Sequence, residues 1–247
     1  MLLSEHNFII CIFSYILIMS TLFEDRNDAA YKLAKEIEGY LKYDQKNVTF
    51  SNKDLIVLAI PRGGIILANV IASHFECELD VVVSRKIRHE SNEELAIGAV
   101  MPDGTFFINE RILKILPISR KCLEQEIEFQ RKEINRRLME FRGTTSYADK
   151  LNNKIIILVD DGIATGATIT ASAKWLEKNY SYNKLIIAVP VAPKTSETVD
   201  ILSTIADKVI VLYSPQDFSA VGQFYQRFDQ VSDNEVKEIM RRYHFNI

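Results

Sequence analysis

Ile155-Ile156-Ile157-Leu158-Val159-Asp160-Asp161-Gly162-Ile163-Ala164-Thr165-Gly166-Ala167-Thr168 is the stretch that decides the reading of this chain. Its first five residues form an apolar strand with no polar side, the pattern of a strand covered on both faces of a parallel sheet. Two adjacent carboxylates end the strand, a short loop of Gly, Ala and Thr follows, and a helical pattern begins near Ala167. Such a turn presents backbone N–H groups at a helix N-terminus, where free donors and the helix dipole together bind a phosphate. The two carboxylates would repel that phosphate. They serve what is attached to it: sugar hydroxyls, a metal ion, or both. The segment reads as a site for a phosphorylated sugar.

Three rival readings fit less well. A Walker A loop requires Lys directly before its Ser or Thr, and Ala167 precedes Thr168. A dinucleotide fingerprint requires three glycines at G-x-G-x-x-G spacing, and here only Gly162 and Gly166 occur. An ordinary strand-to-helix turn also favours Asp, Gly and Thr. It does not account for paired acids, two glycines and two threonines gathered between Asp160 and Thr168.

Working outward, Leu55-Ile56-Val57-Leu58-Ala59-Ile60 is a second continuous apolar run, ended by Pro61. Leu79 to Val83, Leu185 to Val189 and Val209 to Tyr213 read as further strands. Asp28 to Leu41, Ile65 to Phe75, Ala167 to Tyr180 and Thr195 to Ile205 read as helices. Alternating strands and helices with short connections predict an α/β fold, a doubly wound and mostly parallel Rossmann-like sheet. Ligands of such sheets bind beyond the carboxyl ends of the strands. Pro61-Arg62-Gly63-Gly64, Ser84-Arg85-Lys86 and Asp160-Asp161-Gly162 all stand at such ends. Between the second strand and the acidic strand lies a long insertion, helical over about 108–150, which reads as a surface helix with one packed stripe. Its functional alternatives are a hood over the site or a homodimer contact.

Composition narrows the function. A net charge of −3 gives no electrostatic case for nucleic-acid binding. With 47% apolar residues, 9 Gly and 6 Pro, the chain has enough apolar surface for a full core and little sign of disorder. Cys11, Cys77 and Cys122 have no C-x-x-C spacing, which suits a reducing, cytoplasmic location rather than a disulfide or zinc framework. The apolar run from Phe8 to Met19 precedes any Lys or Arg and lacks an A-x-A cleavage pattern. It is also shorter than the roughly 20 residues that span a bilayer. A mis-assigned upstream start ranks first among its explanations, an extra docking segment second and a membrane anchor last.

Val159 to Thr168 resembles the 5-phosphoribosyl-1-pyrophosphate (PRPP) motif of the type I phosphoribosyltransferases (PRTases). The resemblance runs from about Phe23 to the C-terminus. It is strongest toward a bacterial group whose members are named only at the level of the superfamily. Leu58 to Gly64, Arg85-Lys86, Glu94 to Val100 and Phe218 to Tyr225 also fit that group. Because such proteins usually begin near Met19, residues 1–18 read as an extension upstream of the true start and 19–247 as the phosphoribosyltransferase domain.

The resemblance implies roles. Asp160 and Asp161 bind the ribose 2′ and 3′ hydroxyls, and Gly162, Ile163, Ala164, Thr165, Gly166, Ala167 and Thr168 wrap the 5′-phosphate. Arg62, Gly63 and Gly64 hold the pyrophosphate, as glycines permit close backbone approach and Arg adds a charge-assisted contact. Arg85 and Lys86, at the end of the second strand, either stabilise charge on the leaving group, as fixed cations in a dry site do, or are a solvated basic pair. Ile87 to Asn92 reads as a polar, flexible lid, with Glu94 beside it. Mg2+ is the implied cofactor, riding on substrate oxygens and held by Asp160 and Asp161 mostly through water or the hydroxyls. Phe218, Phe224 and Tyr225 either stack on an acceptor base or belong to the core, and core is the commoner fate of such residues. The implied partners are PRPP and a small nucleobase-like acceptor that no motif identifies. The implied activity is phosphoribosyl transfer, with a PRPP- or nucleotide-binding regulator as the alternative and hydrolysis as a weaker third.

Overall fold

The computed structural model describes residues 22–44, 51–194 and 197–247. The N-terminal apolar run, the proposed start at Met19, the opening of the helix expected from Thr195, and the side chain of Glu94 lie outside the described residues. Five strands form the main sheet: β1 (Leu55–Ala59), β2 (Glu78–Val81), β6 (Ile155–Val159), β7 (Lys184–Val191) and β8 (Lys208–Tyr213). Their order is β2-β1-β6-β7-β8, and every pairing is parallel. All residues of β1 and β6 are buried, which is why these strands read as unbroken apolar runs. Helices α1 (Arg26–Asp44), α2 (Gly64–Phe75), α5 (Ala167–Asn179) and α6 (Glu197–Ile205) complete the α/β pattern.

The order reverses between β1 and β6. From β1 the chain steps outward to β2, whereas from β6 it proceeds the other way through β7 to β8. The loops leaving β1 and β6 therefore diverge to opposite faces and open a crevice at the switch point, where sheets of this kind take their ligands. The chain places Pro61 to Gly64 on one side of that crevice and Asp160 to Thr168 on the other.

A second, antiparallel sheet holds β3 (Arg85–His89), β4 (Asn92–Val100) and β5 (Phe106–Ile108) in the order β3-β4-β5. It corrects the expectation of an irregular loop over Ile87 to Asn92. Ile87 and His89 are buried while Lys86 and Arg88 are exposed, so the charged positions are the outer half of a period-two strand. Next come α3 (Glu110–Ile115) and the long α4 (Arg120–Arg142). Ile134, Leu138 and Phe141 form the buried stripe of α4, which lies against β3 and the C-terminal helix α7 (Asp233–Arg242).

The end of α4 is fastened to the main sheet by a buried ion pair. Arg142 Nε and Nη2 donate to the two oxygens of Asp80 on β2 at 2.7 and 2.9 Å. The guanidinium lies 3.9 Å from the centre of the Tyr147 ring, and the Tyr147 hydroxyl donates to the Val81 carbonyl at 2.9 Å. Among the described residues no helix is long and apolar enough to cross a membrane.

Candidate functional site

Asp160 and Asp161 follow β6 at the crevice. Asp161 N–H donates to Asp160 Oδ1 at 2.8 Å, which turns the first carboxylate back on the chain. Both residues keep partial exposure at the mouth but are densely surrounded by protein atoms. Burial pushes both carboxyls above the usual range. Asp160 is raised most, because the charge of Asp161 adds to its burial. Arg26 pulls in the opposite direction on both.

Arg26 opens α1 and is 9% exposed. Its Nε donates to Asp161 Oδ2 at 3.0 Å, and Nη2 lies 2.9 Å from the same oxygen. Its Nη1 donates to the Asp229 carbonyl at 2.8 Å, and its guanidinium stacks 3.8 Å from the centre of the Phe228 ring. The Tyr225 hydroxyl donates to the backbone carbonyl of Asp161 at 2.7 Å. These groups come from the two ends of the described chain, which are bound together: Phe23 N–H donates to the Phe224 carbonyl, and Gln226 N–H to the Phe23 carbonyl, each at 2.9 Å. Phe23 and Tyr225 stack with their ring centres 5.3 Å apart.

The sequence reading does not single out Arg26, Phe228 or Asp229. A signal for Arg26 is nevertheless present. It falls on the same helical stripe as Ala30, Leu33 and Ile37, all buried, and at the helix N-terminus, where the dipole disfavours a cation. A cation so placed needs an anion close by.

The loop after β6 leads into the N-terminus of α5. Gly166 caps α5 with φ 74°, a left-handed conformation that glycine adopts freely. A Cβ there would also lie 2.0 Å from Thr198 Cγ2. Thr198 Oγ1 donates to the Thr165 carbonyl at 3.2 Å, fastening the loop to α6. Ala164 and Thr165 are exposed, Thr168 is half-buried, and the Ile163 side chain is buried in the core. The first-turn N–H groups of α5 have no intrahelical acceptor and point out of the helix end.

Across the crevice, the Pro61–Arg62 peptide is cis and Gly63 caps α2. Gly63 passes so close to the acids that a Cβ on it would stand 1.8 Å from Asp161 Oδ2. The structure thus brings the Arg62 to Gly64 loop and the acidic pair together. Arg62 itself is exposed, with Nη1 3.6 Å from Asp233 Oδ1 of α7.

Arg85 and Lys86 are placed differently. Arg85 Nε donates to Gln130 Oε1 of α4 at 2.9 Å, and burial together with the nearby Arg137 lowers its pKa. Lys86 is exposed. Among the described residues, no ion pair or hydrogen bond joins either to the acids or to Arg62. Phe224 and Tyr225 are buried at 6% and 4%, which places them in the core. Phe218 is partly buried against them. Among the described residues no group of three or more His, Cys, Asp or Glu is clustered to hold a metal.

A parallel sheet with a carboxylate pair and a glycine-capped helix N-terminus at its switch point defines an α/β protein of the doubly wound kind. A family model described as "Phosphoribosyl transferase domain" matches residues 27–217, and the chain belongs to that family. It is 34% identical over 223 residues to the Mycobacterium tuberculosis protein named "Putative phosphoribosyl transferase Rv0571c". That match covers 90% of this chain and 47% of the relative, so the chain spans about half the length of the curated relatives it matches. The crystal structure of TT1426 from Thermus thermophilus is 32% identical, with a TM-score of 0.68. The likeness covers 90% of this chain and 98% of that one.

Proposed function

We propose that this chain transfers the 5-phosphoribosyl group of PRPP to a small-molecule acceptor and releases pyrophosphate. One observation carries the reading: an adjacent carboxylate pair leads directly into a glycine-capped helix N-terminus, with a second glycine loop packed against it. In the reaction, the bond from ribose C1 to the pyrophosphate oxygen breaks and its electron pair leaves with pyrophosphate. A nucleophilic atom of the acceptor forms the new bond to C1 and gives up its proton.

Asp160 and Asp161 accept hydrogen bonds from the 2′ and 3′ hydroxyls and hold the ribose still. Gly162 to Thr168 hold the 5′-phosphate through N–H groups and the two threonine hydroxyls. Arg62, Gly63 and Gly64 receive the pyrophosphate. Arg85 and Lys86, which among the described residues make no bond to the acids or to Arg62, add positive potential from β3 to the charge that builds on the leaving group. Carboxylate oxygens at the mouth suit a hard cation that keeps most of its water and rides on the substrate. Mg2+, when bound there with PRPP, neutralises pyrophosphate charge. Asp160 and Asp161 would hold it.

The test is calorimetric titration with PRPP, with and without Mg2+, of the parent and of Asp160→Asn/Asp161→Asn. The proposal expects metal-dependent binding that the double variant loses, followed by pyrophosphate release when an acceptor is added. Equal binding by both proteins would overturn it. Binding without turnover across an acceptor screen would favour the regulatory alternative.

A further inference from the structure

We propose that Arg26 is a positioning residue of this site. It fixes Asp161 so that Asp161 Oδ1 and Asp160 Oδ2 serve as the two acceptors for a vicinal diol. The inference rests on the sugar-phosphate reading and extends it to named atoms. Two Arg26 donors converge on Oδ2 of Asp161, at 3.0 and 2.9 Å. Oδ1 of Asp160 is taken by the Asp161 N–H at 2.8 Å. Among the described residues, each carboxylate keeps one oxygen without a protein partner, and the pair offers one acceptor to each of two neighbouring hydroxyls.

Arg26 is itself immobilised. Its third contact goes to the Asp229 carbonyl and its flat face lies on Phe228. A guanidinium stacked and bonded in this way cannot follow a moving carboxylate; it dictates where the carboxylate sits. Its charge also offsets one of two crowded anions beside the place where an anionic substrate must dock. A lysine would supply that charge as a point, without the fork that holds one oxygen from two directions or the planar face that stacks. Geometry is thus separable from charge.

The experiment is a double-mutant cycle on the full chain, with PRPP and Mg2+ as titrants up to millimolar PRPP. Arg26→Gln, Arg26→Lys, Asp161→Asn and Arg26→Gln/Asp161→Asn are compared by calorimetry, with melting temperature recorded for each. Arg26→Gln is expected to weaken binding by about 10- to 100-fold, the usual range for losing a partner that orients a ligating carboxylate. Arg26→Lys recovers part of that loss. In the Asp161→Asn background the same Arg26 change moves affinity by less than about twofold, because there is no carboxylate left to position.

An equal effect in both backgrounds would mean that Arg26 acts through the fold or on the ligand directly, and would overturn the inference. So would parental affinity in Arg26→Gln while Asp161→Asn is weakened. Parental affinity in Asp161→Asn would instead defeat the sugar-phosphate reading itself. Should Arg26→Gln not fold, Phe228→Leu removes the face on which Arg26 stacks, together with the ring contact to Tyr225. The inference expects it to weaken binding in the parent background and not in Asp161→Asn.

Discussion

Gly63→Ala tests whether the two loops form one site. Its effect can be worked out from the distances. A Cβ at position 63 would stand 1.8 Å from Asp161 Oδ2, 2.5 Å from its Cγ and 3.2 Å from Arg26 Nε. Ordinary contact begins near 3.4 Å, so Oδ2 must retreat by about 1.6 Å. A shift of that size away from Gly63 takes the carboxylate off a position held by contacts of 3.0 and 2.9 Å to Arg26. The alternative is displacement of the Gly63 backbone, which deforms the opposite wall. Overpacking of this kind costs about 1–3 kcal/mol. For a domain of this size that lowers Tm by about 2–12 °C. The functional loss should exceed the thermal one, because the displaced atoms are those proposed to meet the ribose. The assay is thermal denaturation combined with PRPP titration of parent and variant. A Gly63→Ala protein that binds PRPP with parental affinity would refute the convergence of the two loops on one ligand.

Asp160→Asn should raise stability while removing PRPP binding. The folded pKa of Asp160 lies well above its ordinary value of 3.8, so its contribution favours folding below that value and is lost as pH rises toward the folded pKa. The gain from Asn should be present at neutral pH and vanish near pH 4; denaturant titrations at about pH 4 and pH 7.5 check both sign and window, and an equal gain at both would contradict the cause. Asp80→Asn leaves Arg142 buried without its counter-charge and should cost about 3–5 kcal/mol. Its Tm should fall by roughly 6–20 °C, and an unchanged melt would show that the buried pair does not hold the insertion to the sheet. Gly166→Ala combines a strained φ with a Cβ 2.0 Å from Thr198, so it should weaken PRPP binding strongly. Ribose 5-phosphate serves as a second titrant there, and equal loss for both ligands places the defect at the phosphate turn.

The main sheet is legible in the sequence because β1, β6 and β7 are buried on both faces and write themselves as apolar runs. The smaller sheet is not. Along β3 the outer positions are Lys86 and Arg88, and a charged period-two strand looks like a polar loop until its partner is known. Helix α7 is hidden for a related reason: only Val236, Ile239 and Met240 are buried along it. The site divides in the same way. Asp160 to Thr168 is contiguous, so its chemistry stands in one line of sequence. Arg26 and Tyr225 reach Asp161, and Phe228 and Asp229 reach Arg26, from the far ends of the described chain, and no local pattern joins them. Only Arg26 leaves a trace, since a cation on an apolar stripe at a helix N-terminus calls for a distant anion.

The electrostatics of the crevice follow from this arrangement. Folding brings two adjacent carboxylates into a crowded place that raises both pKa values, and it supplies partial relief through one N–H and one guanidinium. A more stable design would use asparagines or move the pair outward. On the proposed reading, the crowding sets the positions of a pair of acceptors before a ligand arrives, so little reorganisation accompanies binding. A ligand with two neighbouring hydroxyls supplies the donors that the fold withholds. Its binding should therefore stabilise the protein most at pH values where both carboxylates are charged. Neutral diols without a phosphate should bind weakly, since they leave the glycine-capped turn of α5 without its anion. On the proposed reading, the two halves of the site serve one molecule carrying both groups.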